Sequence, residues 1–152
     1  MARPDNVTPF RPRRPPPRPS GNTSFGMATH RGRAVLAQAM TLAAFVLSFV
    51  FPAPPLSLIG LAIGVAALFI AASHRQGGMP WAQTHHEHAL RTIVIGASVW
   101  TLASLLSFFG PLGIATPFIY LAVMIWAAVR AGVGLVLAIM RRPIWRPTGI
   151  LF

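Results

Sequence analysis

The stretch MPWAQTHHEHALRT, residues 79–92, gathers three of the chain's five histidines, one of its two acids and Arg91. Histidine is the commonest metal ligand and the side chain whose charge changes nearest neutral pH. The run therefore has three readings: a metal site, a pH-sensing cluster, or the polar collar of a membrane helix. His85 and His88 are the candidate ligands, because two histidines about one helical turn apart can share a metal. The HExxH spacing of metalloproteases is absent, since Glu87 is followed by His88 and Arg91 and not by a second histidine where the motif needs one. His74 lies on the same loop, but a metal would need a further convergent ligand, and elsewhere the chain offers only Asp5 and His30. The polar collar is the favoured reading, with no metal and no cofactor.

Arg130 is the second chemical candidate, because it interrupts a long apolar run. An arginine at the centre of a span costs at least about 2.5–3.5 kcal/mol on insertion scales. Either the last helix leaves the hydrocarbon near residue 130, or the guanidinium snorkels or pairs. Glu87 is the expected partner. No nucleophile with its base, phosphate loop or pair of carboxylates is recognisable, so no catalytic residue is assigned and the expectation is a non-enzyme.

Composition sets the frame for these side chains. The chain of 152 residues is 54% hydrophobic and 10% charged, with a net charge of +11 and no cysteine. Soluble domains carry about 25% charged residues, and the lack of cysteine excludes disulfide and thiolate-metal frameworks. In a soluble protein such a charge would point to nucleic acid. Here the apolar content directs the arginines to a membrane face and its anionic lipids instead.

Residues 1–33 read as a disordered Arg/Pro-rich tail with too little apolar surface to fold. Four apolar segments follow, at 34–51, 56–72, 91–109 and 114–139. Spanning the hydrocarbon takes about 17–25 residues, and none of these segments shows the polar face of a soluble bundle helix. The expected fold is all-α: a polytopic membrane protein whose domain, 34–142, is a bundle of four transmembrane helices, closed by a short tail, 143–152. The 52–55 and 110–113 connections carry no charge, whereas the N-tail, the 73–90 loop and the C-tail hold the arginines, with Arg91 beside that loop. The positive-inside rule then puts both termini in the cytoplasm.

Helices in lipid meet through small residues. Expected packing lines are Ala37-Thr41-Ala44-Ser48, Gly60-Gly64-Ala67-Ala71, Ala97-Thr101-Ser104 and Ala127-Ala131-Gly134-Ala138. The pair Gly60 and Gly64 can serve internal packing or a homodimer face. Trp81 and Trp145 are expected at the cytoplasmic boundary and Tyr120 near the other.

Two motifs carry a family resemblance. Trp81-x-x-Thr84-His85 followed by Leu90-Arg91-Thr92 and Gly96 is similar to a signature W-x-x-S-H…[IL]-R-T-F-W-x-G. Arg130-x-x-x-Gly134-Leu135 and Arg142-Pro143-Ile144 are similar to its R-x-x-x-G-L…R-P-[IM] ending. The chain, over about residues 56–146, thus resembles a family of small, uncharacterised bacterial inner-membrane proteins. That family is distantly grouped with the four-helix subunit of the chloroplast inner-envelope protein translocon. Thr84 replaces Ser, Ile93-Val94 replace the aromatic pair, and His86, Glu87 and His88 have no counterpart. The resemblance implies a multi-pass protein of the bacterial inner membrane and selects Trp81, His85, Arg91, Thr92, Gly96, Arg130, Gly134, Arg142 and Pro143, making the other histidines dispensable. Functionally the expectation is a scaffold or accessory subunit of a membrane complex, with a membrane-protein partner or a homo-oligomer. The alternative is a transport or protein-translocation component with a path between the helices.

Overall fold

The computed structural model describes residues 26, 28–50, 54–76 and 79–150. The expected disordered tail falls largely outside these residues. Four α-helices follow in order: α1 His30–Val50, α2 Leu56–Ser73, α3 Pro80–Leu106 and α4 Thr116–Ile139, with a 3-10 turn Gly110–Ala115 before α4. The described residues contain no strand. All four helices are long and apolar enough to cross a membrane.

The ends of these helices follow from local chemistry. Thr29 caps α1, its Oγ1 accepting the Gly32 N–H at 3.0 Å, so the helix starts four residues earlier than the apolar run. Pro80 occupies the first turn of α3, where its missing N–H would be unpaired in any case. That start lies eleven residues before the expected 91. The helix therefore absorbs the HHEH stretch, which was expected in a loop.

The far end of α4 reverses the chain. The Arg142 N–H donates to the Leu137 carbonyl at 2.9 Å and the Arg141 N–H to the Ala138 carbonyl at 3.2 Å. Arg141 sits in the left-handed region with φ 56°. These are the paired bonds of a Schellman cap, in which that position is usually glycine. Pro143 follows and cannot extend the helix. Residues 143–150, expected as a plain tail, turn back along the bundle.

Inside, the bundle is made of small and polar side chains. Ala34, Ala37, Ala67, Ala71, Ala127 and Ala131 are fully buried, as are Gln38, Thr41, His85 and Thr92. Large side chains such as Leu61, Phe69, Leu102 and Phe118 are exposed. This inverted distribution suits a solvent as apolar as leucine, where close backbone approach rather than burial of large side chains holds helices together.

Gly60 shows such an approach: a Cβ there would lie 2.8 Å from the Ser48 backbone nitrogen on α1. Gly64 is near Ala44 of the same helix, so the glycine pair faces α1. The expected line on α3 does not pack, because Ala97 and Thr101 are exposed. Its packed stripe is Ala82, His85, Ala89, Thr92, Gly96 and Ala103, spaced three, four and seven apart.

Candidate functional site

The bundle has one charge-bearing end. Arg31 at the start of α1 donates from Nη2 to the Ile139 carbonyl at the end of α4, at 2.7 Å. Arg75, just past α2, pairs with Glu87 of α3 at 2.8 Å. The start of α1, the α2–α3 connection and the end of α4 therefore lie together.

Arg130 lies nine residues before the end of α4, roughly 14 Å along the helix axis, and is 1% exposed. Its Nε donates to Thr92 Oγ1 at 2.9 Å, and that hydroxyl donates to the His88 carbonyl at 2.7 Å. The guanidinium also reaches the returning tail: Nη1 donates to the Ile150 carbonyl at 3.0 Å and Nη2 to the Pro147 carbonyl at 3.4 Å. The expected Glu87–Arg130 pair does not form. Glu87 instead binds Arg75 and, at 2.7 Å, Arg91 one helical turn on. Helix α4 also continues past residue 130 to Ile139, so burial against polar partners, not an early exit, accommodates the charge.

The other motif residues surround the same tail. His85 Nε2 donates to the Arg142 carbonyl at 2.8 Å, which fixes a proton on that nitrogen because a carbonyl can only accept. Trp81 packs edge-on against the His85 ring, centroids 5.9 Å apart. Thr84 Oγ1 accepts the Ile144 N–H at 3.1 Å, and Ile144 is buried. Arg91 donates to the Thr148 carbonyl at 3.4 Å, and Trp126 Nε1 donates to the Ile150 carbonyl at 2.9 Å.

The tail thus lies in the groove between α3 and α4 with its carbonyls held by side chains. A segment without regular structure carries unpaired backbone groups, which hydrocarbon cannot satisfy. Here side chains of the two helices satisfy them. Chemically the arrangement is a clamp for irregular backbone, which turns where the Gly149 N–H donates to the Arg146 carbonyl.

A second polar layer ties α1 to this clamp. Gln38 Nε2 donates to the His85 carbonyl at 3.0 Å and lies 3.4 Å from His88 Nδ1. Gly134 leaves room for it, since a Cβ there would meet Gln38 Oε1 at 2.6 Å. Gly96 does the same for Phe45, whose ring would clash with a Cβ. Gln38 was missed at the sequence level. An amide alone within an apolar run was the signal that could have found it.

His86 and His88, expected to be dispensable, are buried with His85. The His86 ring faces His74 with centroids 5.7 Å apart. Among the described residues no three of His, Cys, Asp and Glu converge as ligands of one metal. His85 Nε2 is engaged with a carbonyl and His88 Nδ1 faces an amide. Pro143 is exposed beside these contacts and Trp145 is 93% exposed.

The fold and site define a helical, multi-pass membrane protein with a tail clamped between two of its helices. No family model, curated protein or solved structure matches the chain.

Proposed function

We propose that the protein is a non-enzymatic scaffold or accessory subunit of a complex in the bacterial inner membrane, inserted with its arginine-bearing end, and both termini, in the cytoplasm. The observation that carries this reading is how the interior polar groups are used. Arg130, Thr92, His85 and Gln38 direct hydrogen bonds to neighbouring helices and to the tail. Such a network, with small-residue packing on either side, makes a rigid body that presents a large apolar exterior and a basic end.

The topology follows from charge. Arg31, Arg33, Arg75, Arg141, Arg142 and Arg146 flank the helix ends gathered there, with Arg91 about three turns into α3, and arginine-rich flanks stay on the cytoplasmic side. The same end would attract anionic lipid headgroups, at about 1 kcal/mol per basic residue near the surface. The motif resemblance to small inner-membrane proteins is consistent with this reading.

Extraction in mild detergent, followed by affinity capture and mass spectrometry, tests it. A membrane protein recovered in fixed proportion supports an accessory role. Purified protein that alone makes liposomes permeable would replace that role with transport through the bundle. A reporter active only outside the cytoplasm, fused at the C-terminus, should stay silent; a strong signal would overturn the orientation.

A further inference from the structure

Helices α2 and α3 meet at the arginine-bearing end. Ala71 and Ala89 pack there with Ala37 of α1, flanked by Ile70 and Leu90, and the Arg75–Glu87 pair closes the same end. Further along, the two helices part and leave a groove open to the side, floored by Ala44, Phe45 and Ser48 of α1. This inner section has a volume of about 200 Å³ and an almost wholly apolar lining. A second section of about 490 Å³ continues toward the uncharged end, where Ser57, Thr101 and Ser104 join the lining.

We propose that this groove binds one acyl chain of a phospholipid from the leaflet at the uncharged end, with the glycerol ester at Ser57, Thr101 and Ser104. The inference rests on the membrane-spanning reading of the four helices. Length is the first argument. The lining runs from Ser57 to Leu68 on α2 and from Ile93 to Ser104 on α3, and eleven residues of helix span roughly 16 Å. One leaflet of the hydrocarbon core is about 15 Å, half of the usual thickness. The groove therefore reaches from the interface to the bilayer centre, as one chain does.

Polarity is the second argument. The deep section is apolar and the hydroxyls cluster at the mouth, where a phospholipid's ester carbonyls sit. The Ser104 hydroxyl is already engaged, donating to the Trp100 carbonyl at 3.0 Å and lying 2.7 Å from the Tyr120 hydroxyl. No hydrogen bond joins the hydroxyl of Ser57 or Thr101 to another described residue. A hydroxyl surrounded by apolar groups is stabilised by an acceptor, and an ester carbonyl is one.

The groove walls suit a flexible chain better than a helix. Helices associate in lipid through small residues that allow close approach, yet Gly60 is spent on α1. The walls left for a newcomer are uneven, with bulky Leu61, Val65 and Trp100 set among small Ala97, Thr101 and Ser104. A flexible hydrocarbon chain conforms to such walls.

The test reconstitutes the full chain in bilayers of phosphatidylethanolamine and phosphatidylglycerol. These contain a trace of phosphatidylcholine bearing a diazirine near either the chain's terminal methyl or its ester. The methyl probe should label Phe45, Leu68 and Ile93 at least about fivefold above outward-facing Phe69 and Phe118. The ester probe should label around Ser57, Thr101 and Ser104. Ala97→Phe, which places a ring in the groove from an exposed position, should remove the deep labelling and leave Phe118 labelling intact. Ala97→Leu serves where the larger ring disturbs folding. Even labelling of groove and outer faces, labelling unchanged by both variants, or cross-links from the groove to a second copy would each overturn the proposal. Labelling by a diazirine fatty acid but not by the phospholipid would do so too. Release of the protein from membranes by alkaline carbonate would instead remove the membrane reading.

Discussion

Gln38 of α1 occupies the space that Gly134 of α4 leaves empty, and its side chain is held there by a 3.0 Å bond to the His85 carbonyl. Three helices are therefore registered by one amide and one missing methyl group. A methyl at 134 would lie 2.6 Å from Gln38 Oε1, and the amide cannot retreat without giving up His85. Overpacking of this kind costs roughly 1–3 kcal/mol. Gly134→Ala should lower the thermal midpoint in detergent, and Gln38→Ala should restore much of the loss. Gly132→Ala is the control, because nothing lies within 4 Å of a Cβ there. Equal midpoints for the two alanine variants would remove the steric account.

Arg130 holds the tail to the bundle. Its removal leaves Thr92 Oγ1 and the carbonyls of Pro147 and Ile150 without that donor. Thr92 Oγ1 is the buried acceptor among them, and one left unpaired costs roughly 1–3 kcal/mol. The tail carbonyls are part-buried and that of Ile150 keeps Trp126 Nε1 as donor, so the tail loses part of its hold on the groove. Since the chain has no cysteine, Ile144→Cys reports tail docking from a buried position. Adding Arg130→Met should speed its reaction with a water-soluble maleimide at least about tenfold, the equivalent of 1.4 kcal/mol of lost docking. An unchanged rate would mean that the tail is held from elsewhere.

Arg141 sets the direction of that tail at the expense of a left-handed backbone, φ 56°. For a residue with a side chain this conformation costs roughly 1–2 kcal/mol, and glycine escapes most of it. Arg141→Gly and Arg141→Ala both remove the guanidinium, so their difference isolates the backbone. The glycine variant should be the more stable by about 1 kcal/mol, with slower labelling at Ile144→Cys. Alanine matching or exceeding glycine would show that the cap is not strained.

Four apolar helices were legible in the sequence because hydropathy is additive along a segment and needs no knowledge of neighbours. Helix limits were less so. The eleven residues opening α3, six of them polar, look like a loop when judged against lipid. They form helix because Pro80 starts it and because Gln38, Thr84, Glu87 and the tail satisfy them. The motif residues Thr84, His85, Arg91, Thr92, Arg130 and Arg142 converge on the tail, a convergence visible only after folding, since their partners are mostly backbone carbonyls. A carbonyl carries no sequence signature. For that reason Glu87 is not the partner of Arg130: where charge alone calls for an acid, the fold supplies carbonyls and a hydroxyl. The small residues expected to pack on α1, α2 and α4 are mostly buried, but composition could not tell that Ala97 and Thr101 line a groove.

Glu87 joins α2 to α3 through Arg75 and reinforces α3 through Arg91. The arginine side chains are 50% and 40% exposed, while Glu87 is 16% exposed. Pairs in such wet surroundings contribute about 0–1 kcal/mol each and weaken with salt. Arg75→Ala should therefore lower stability by less than about 1 kcal/mol at low ionic strength. In a Glu87→Gln background the same substitution should change nothing, and the difference between backgrounds is the coupling of the pair. Thermal unfolding of the four variants at low and at high salt measures it. A coupling of zero at low salt would show that α2 and α3 are joined at this end by Ala71, Ala89 and their apolar neighbours alone.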